Sequence, residues 1–423
     1  MVSPRRSLVA ILALLSLLLA AAACSGGTAP APAQSPQQPA AAAPTSAPAA
    51  AAPTSAPPAA APAATSGEVR IGGIFNITGQ NASQAVLWMK AADLAVKQIN
   101  AAGGINGKKI NLVKEDAQSS NPGALAALDK MIAQDNVVTI LGPNLSTQIQ
   151  AMNDTDKTAA IPFATGGTAV KNTQMGNPWI LRLRPDDSIA AGAMVQYMND
   201  EWKVKKVGII NDTDAFGHGG AEQVKEYAKA AGLPIVRQEE YTAGTKDYAA
   251  QLLNIKQAGA DVIVVYATRP DDTAMIEKQY KDLGSPYKLM GDPGVASTDV
   301  INLAKDAALG LTAVVDYMPG VSEVGKKYMA DYAKEYNGEV ADTQAAYNYD
   351  AIYLFANAIK KVGEDRSKIR EAILGIHGDW EGVCGTFDFT PNGDGLHSNA
   401  VIQIDQGGKY KFIKTVTVPA KKQ

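Results

Sequence analysis

The sequence predicts an α/β protein built as two lobes, each a parallel sheet flanked by helices. Three observations carry that expectation. From residue 68 onward, short β-branched runs alternate with longer amphipathic segments, the rhythm of repeated βαβ units. The rhythm runs from 69 to 159, breaks near Pro185 and restarts at Val204. The chain has 423 residues, and the roughly 355 that follow an N-terminal leader and linker exceed what one hydrophobic core supports.

Residues 69–75 read as the first strand, and 86–100 as a helix with Leu87, Leu94, Val96 and Ile99 on or near one face. Ala-Ala-Gly-Gly-Ile-Asn-Gly at 101–107 is a stop and turn. A strand at 109–113 follows, then a helix at 122–134 opened by Pro122. A strand at 137–141 ending in Gly142-Pro143 and a helix at 147–159 complete the first run. In the second run, strands at 207–210, 235–236 and 262–266 alternate with helices at 220–231, 247–258 and 271–283. Beyond these, the pattern predicts a strand at 311–316, long helices at 322–336 and 343–362, and short strands at 385–389, 400–404 and 410–416. Periodicity does not say which lobe these last segments join.

The first 67 residues are of another kind. Arg5 and Arg6 precede an apolar run over 8–19, the charged start and apolar centre of an export signal. The run ends in small residues at Cys24, the arrangement at which bacterial lipoproteins are cut and acylated. The expectation is a signal peptide at 1–23, a lipid on Cys24, and a tether over 24–67. That tether carries Ala-Pro-Thr-Ser-Ala-Pro at 43–48 and again at 52–57. It has almost no large apolar side chain to bury, and its prolines make it a semi-extended spacer. The body would then sit outside the cytoplasmic membrane, in a periplasm or on the outer cell face. No apolar stretch of spanning length follows Ala23.

Composition removes several function classes. Without Arg5 and Arg6, 37 of the 39 basic residues remain against 42 acidic ones, a mildly acidic balance with nothing to suggest a nucleic-acid surface. Cys24 and Cys384 are the two cysteines. A lipidated Cys24 leaves Cys384 without a partner, and Cys384 reads as a small buried filler. The three histidines, His218, His377 and His397, have no metal-pair spacing, and no nucleophile elbow or phosphate-binding glycine loop is present. Neither an enzyme nor a cofactor is expected. The acid pairs Asp186-Asp187 and Asp271-Asp272 stand before helices, where capping is the simpler reading.

The informative loops follow strand C-termini, where open α/β sheets bind ligands. Gly142-Pro143-Asn144-Leu145-Ser146 leads into a helix, so Ser146 is placed either to cap it or to turn its hydroxyl to a ligand. Thr165-Gly166-Gly167-Thr168 sets two hydroxyls around two glycines, which suits an anion. Three further loops are Phe75-Asn76-Ile77-Thr78-Gly79-Gln80, Asp212-Thr213-Asp214-Ala215-Phe216-Gly217 and Gly291-Asp292-Pro293-Gly294. Asp292 is the candidate to meet a positive charge. A carboxylate site in one lobe facing a cation site in the other would hold a zwitterion.

The motifs in order resemble one family. They are Ile71-Gly72, Thr78-Gly79, the 99–107 turn, Asp116, Leu141-Gly142-Pro143-x-x-Ser146 and Arg182-x-Arg184-Pro185-Asp186-Asp187. Phe216-Gly217, Asp247-Tyr248, Tyr349-Asp350-Ala351 and Gly382-x-x-Gly385-Thr386-Phe387-Asp388 continue the match. Together they span about 68–416 and resemble the branched-chain amino-acid-binding proteins, the Leu/Ile/Val-type receptors of ABC importers. The resemblance implies a type I periplasmic-binding clamshell whose chain crosses three times between lobes. One lobe would take 68–187 with 317–390, and the other 188–316 with 391–423. It implies a monomer that captures an amino acid or amide-like solute and delivers it to an ABC permease. Ser146, Thr165, Gly166, Gly167 and Thr168 match the grip on the ligand carboxylate, and Phe216 the stacking aromatic. Pro293 stands at the family's ammonium-binding acid, with Asp292 one residue before it. Gln84 replaces a common aromatic, which implies a more polar pocket. Thr78 and Thr268 complete the expected contacts, and Arg269 either serves a second ligand carboxylate or faces solvent. Binders of urea, short amides or aromatic acids, and sensory ectodomains, are the alternative readings.

Overall fold

The computed structural model describes residues 67–284, 288–295, 297–318, 320–342 and 345–418. The expected signal peptide, Cys24 and nearly all of the tether lie outside the described residues, as does the start of the helix expected at 343.

Glu68–Phe75 (β1), Lys109–Asp116 (β2), Thr139–Leu141 (β3), Phe163–Thr165 (β4) and Ile180–Arg182 (β5) form a parallel sheet in the order β2-β1-β3-β4-β5. Val207–Asp212 (β6), Ile235–Tyr241 (β7), Val262–Tyr266 (β8), Lys288–Gly291 (β9) and Thr312–Val315 (β10) form the parallel part of a second sheet. His377–Glu381 (β11) and Thr386–Asp388 (β12) make a small antiparallel pair. Ser398–Ile404 (β13) and Tyr410–Thr417 (β14) then extend the second sheet antiparallel from β10, giving the order β14-β13-β10-β9-β8-β6-β7.

Burial explains why these runs are strands. Val262, Val264 and Tyr266 of β8 enter one core, while Ile263 and Val265 enter the core on the other face. A strand covered on both faces reads as a continuous apolar run. In β1, Val69, Ile71 and Phe75 join one core and Ile74 the opposite one. The strand expected at 235–236 extends to Tyr241, because β7 lies at the sheet edge, where Arg237 and Glu240 are exposed and polar residues are tolerated. β4 and β5 have three residues each, too few for a period to show in the sequence.

Ala82–Ala101 (α1), Asn121–Lys130 (α2) and Ser146–Ala159 (α3) follow strands of the first sheet. Ala85, Trp88, Ala92, Ala95 and Ile99 give α1 a buried stripe at helical spacing. Ser120 caps α2, with Pro122 in its first turn. The helix expected at 122–134 becomes a π-turn over Met131–Asp135. Asp187–Asp200 (α4), Ala215–Ala230 (α5), Ala249–Gln257 (α6), Pro270–Asp282 (α7) and Thr298–Ala304 (α8) belong with the second sheet. Glu323–Glu335 (α9), Ala346–Val362 (α10) and Arg366–Leu374 (α11) return to the core that covers α1 and β1. The chain thus passes between the sheets over 183–186, 316–322 and 389–397.

Candidate functional site

Loops at the C-terminal ends of both sheets meet around a cavity of about 50 Å³. One water needs roughly 10–15 Å³, so the seam between the sheets is not solid. Gln84, Trp88, Asn144, Ser146, Thr168 and Arg184 line it from the first sheet's side, and Asp214, Phe216, Thr268, Pro270, Thr273 and Gly294 from the second's.

The first wall is set by a backbone constraint. Gly142 has φ +85°, and a Cβ there would lie 2.1 Å from the Ile74 carbonyl oxygen, so only glycine turns the chain here. The turn delivers Asn144 and Ser146 to the cavity. Leu145 occupies the cap position of α3, and no side chain caps this helix. Ser146 is therefore not the cap: its Oγ accepts from the Ala169 N–H at 3.2 Å, leaving the hydroxyl proton to donate. Asn144 is 8% exposed, and neither end of its amide has a hydrogen-bond partner in the protein. A buried polar group left so costs about 1–3 kcal/mol, which a guest with a donor and an acceptor would recover.

The Thr165–Thr168 loop divides in two. Thr168 lines the cavity. Thr165 lies behind it, its Oγ1 donating to the Pro143 carbonyl at 2.9 Å and accepting from the Gly167 N–H at 3.2 Å. Gly166 and Gly167 are also outside the lining. A Cβ on Gly166 would strike the buried Tyr347 ring at 2.3 Å, and one on Gly167 would strike Ile149 at 2.1 Å. These three residues tie and shape the loop. Arg184 Nη1 donates to the Gly166 carbonyl at 2.8 Å, so this cavity-lining guanidinium also holds the loop.

On the second wall, Asp212 is fully buried and joins two loops. Its Oδ2 accepts from the Thr268 N–H at 2.5 Å, and its Oδ1 from the Asp214 N–H at 3.0 Å. Burial pushes its carboxyl up to about 6. Phe216 packs at a tilt on Tyr266, ring centres 5.3 Å apart. Gly220 makes room for that tyrosine, since a Cβ there would fall 2.1 Å from its ring.

Asp292 takes a place other than the expected one. It is fully buried and does not line the cavity. Its Oδ2 accepts from the Ala267 N–H at 2.7 Å, and its Oδ1 from the N–H groups of Gly294 and Val295 at 2.5 and 3.1 Å. Burial pushes its carboxyl up to about 8 despite those bonds. This acid holds the loop after β9. Thr78 is likewise engaged elsewhere: it is exposed, and its hydroxyl donates to Asp116 at 2.6 Å.

Five expected contacts, Ser146, Thr168, Phe216, Gln84 and Thr268, are brought together at the cavity. Thr165, Gly166, Gly167, Asp292 and Thr78 are not. Trp88, Asn144, Arg184 and Asp214 were not singled out from the sequence, although the last three sit inside the loops and motifs quoted for it. Trp88 stands one helical turn after Gln84, a spacing that puts both on one face. Arg269 neither lines the cavity nor points free into solvent. It makes two bonds to Asp271 and donates through Nη1 to Gln80, in the loop after β1, at 2.5 Å. Capping holds for Asp186, which accepts from Ser188 and Ile189. Asp271 and Asp272 sit inside the first turn of α7 and bind Arg269 and the Gly244 N–H instead.

Comparison with known proteins gives the following. The sequence pattern of a family described as periplasmic binding protein matches residues 68–409. An amino acid binding protein of Pseudomonas aeruginosa is 28% identical over 341 residues, which cover 79% of this chain and 89% of that protein. A branched-chain amino acid transporter substrate-binding protein from Streptococcus pneumoniae, solved with isoleucine, is similar at a TM-score of 0.75 and 26% identity, covering 83% of this chain and 99% of the other. A solute-binding protein of an ABC transporter from R. palustris, solved with benzoate, shares the fold at a TM-score of 0.75 and 19% identity, over 84% of this chain and 99% of the other.

Proposed function

We propose a function from one premise: the chain belongs to the periplasmic binding protein family. It captures a small α-amino acid between its two sheets and passes it, chemically unchanged, to an ABC permease. The observation that carries this reading is the cavity itself. It is walled from both sides by polar groups with unused hydrogen-bonding capacity, among them the Asn144 amide and the Asp214 carboxylate. A solute touching both walls stabilises the shut form over the open one by its differential contacts.

In this reading the lobes are 68–187 with 317–390 and 188–316 with 391–423, and they hinge on the three crossing segments. The body is a monomer held outside the cytoplasmic membrane by lipid on Cys24 and the 24–67 tether. The carboxylate of the solute meets Ser146, Thr168 and the uncapped start of α3, where free N–H groups and the helix dipole favour an anion. Gln84 and Asn144 supply hydrogen bonds to the far end of the solute.

The test is small-angle scattering combined with thermal unfolding across the standard amino acids. A true ligand compacts the body, and at 100 times its dissociation constant it adds about 2.7 kcal/mol of stability. Failure of every amino acid to do either would sink the proposal. A second reading, an aromatic acid, is favoured by Trp88 and Phe216 in the lining and by the benzoate held by the R. palustris relative. Benzoate and hydroxybenzoates belong in the same screen.

A further inference from the structure

We propose that Asp214 receives the ammonium group of the bound solute, so that the site selects α-amino acids over the same acids lacking an amine. This rests on the amino-acid reading above and adds the residue that enforces it.

Three observations lead to Asp214. The first is elimination by geometry. Asp292 has both oxygens on backbone N–H groups, and Asp212 likewise bridges two loops. Asp316 is paired with Arg184. Asp187 is fully buried and outside the lining. Asp214 is the acidic residue that lines the cavity.

The second is a forgone role. Asp214 occupies the cap position of α5, where an aspartate ordinarily accepts from the helix's first N–H groups, a bond worth about 1 kcal/mol. Here the side chain makes no such bond. Among the described residues its carboxylate accepts no hydrogen bond and forms no ion pair within 4.0 Å.

The third is electrostatic. Asp214 is half-buried, and loss of water pushes its carboxyl up, opposed by the field of Arg269. Arg269 has its own anion, since Asp271 takes two of its N–H groups. Arg269 thus acts on the Asp214 carboxylate only through space and makes no ion pair with it. Across the cavity stand the Ser146 and Thr168 hydroxyls and the uncapped start of α3, the complement of a carboxylate. A solute with ammonium toward Asp214 and carboxylate toward the first wall satisfies both ends at once.

The experiment uses calorimetric titration of the purified protein with the standard amino acids, then with the deaminated acid of the tightest binder. Wild-type protein is expected to prefer the amino acid by at least about 100-fold, the scale on which losing one partner of a buried charge pair is felt. Asp214→Asn is expected to weaken the amino acid about 30- to 100-fold and to change the deaminated acid less than about threefold. Asp214→Glu should recover part of the loss, and Asp292→Asn should leave the preference for the amine intact. An unchanged unfolding midpoint for Asp214→Asn shows that the loss is local. The proposal is overturned if Asp214→Asn keeps the wild-type preference, if both ligands weaken equally, or if Asp292→Asn abolishes the preference instead. If wild-type protein binds no amino acid, the broader reading fails first and this one with it. If it binds one and the variants do not discriminate, this one fails alone.

Discussion

Arg184 Nε lies 2.5 Å from Asp316 Oδ2, and both side chains are almost fully buried. Arg184 belongs to the first crossing segment and Asp316 to the second, so one ion pair joins two of the three connections between the sheets. Arg182, at the end of β5 just before the first crossing, ties in the third: it is fully buried, and its Nη2 lies 2.6 Å from Asp394. Because Arg184 also lines the cavity, the cavity wall is tied directly to the segments that connect the sheets.

Breaking that pair is therefore expected to cost far more than removing it whole. Asp316→Leu leaves a buried guanidinium unpaired and should lose about 3–5 kcal/mol. Arg184→Met combined with Asp316→Leu should lose clearly less than the sum of Arg184→Met alone and Asp316→Leu alone. Urea unfolding of the four proteins measures the coupling, and simple additivity would deny the pair its role.

Asn144 is expected to set the rank of ligands. Asn144→Leu removes an amide whose two ends lack partners, and should shift the preference by about 1–3 kcal/mol away from hydrogen-bonding side chains toward aliphatic ones. Titration of glutamine, threonine and leucine into both proteins reads the shift. An unchanged order would mean that Asn144 does not face the solute.

The bond from Arg269 to Gln80, at 2.5 Å, joins a loop of the second sheet to a loop of the first. It is expected to hold the closed form. Gln80→Ala leaves the Arg269–Asp271 pair in place and should raise the ligand's dissociation rate about fivefold, the worth of one hydrogen bond of about 1 kcal/mol. Stopped-flow fluorescence, with Trp88 in the cavity wall as reporter, is the measurement; an unaltered rate would remove the latch.

Stability should fall as pH rises through neutrality. Burial pushes the Asp156 carboxyl up to about 7, while its Oδ2 accepts from Asn177 at 2.8 Å. A carboxyl raised on folding stabilises the folded form below the unfolded value near 4 and loses that contribution as pH climbs to about 7. Asp156→Asn keeps an acceptor for Asn177 and cannot ionise. It should flatten the pH profile and gain on the order of 2 kcal/mol at pH 8 relative to the wild type. Thermal melts from pH 5 to 8 decide this, and parallel profiles would refute it. Asp187 and Asp292, which burial also pushes up to about 7 and 8, add to the same slope in both proteins.

The alternation of apolar runs, the stop at Gly103-Gly104 and the turn at Gly142 follow from local chemistry. For that reason the strand-helix rhythm and most cavity loops were readable along the chain. β4 and β5 were not, because three residues cannot show a period. The site was readable as a set of loops but not as a set of side chains.

Asp214 and Asp292 show why. Each is an aspartate in a glycine-containing loop after a strand of the same sheet, and local sequence gives them the same capacity to accept hydrogen bonds. Asp292 meets Ala267, 25 residues away in the chain, and disappears into the loop framework. Asp214 meets no such donor and stays at the cavity. Residue order alone determined the repeating strands and helices and the loops that turn at their ends. Tertiary packing decided which charges are consumed by backbone N–H groups and which are left for a guest, because those partners come from chain segments that only the fold brings side by side.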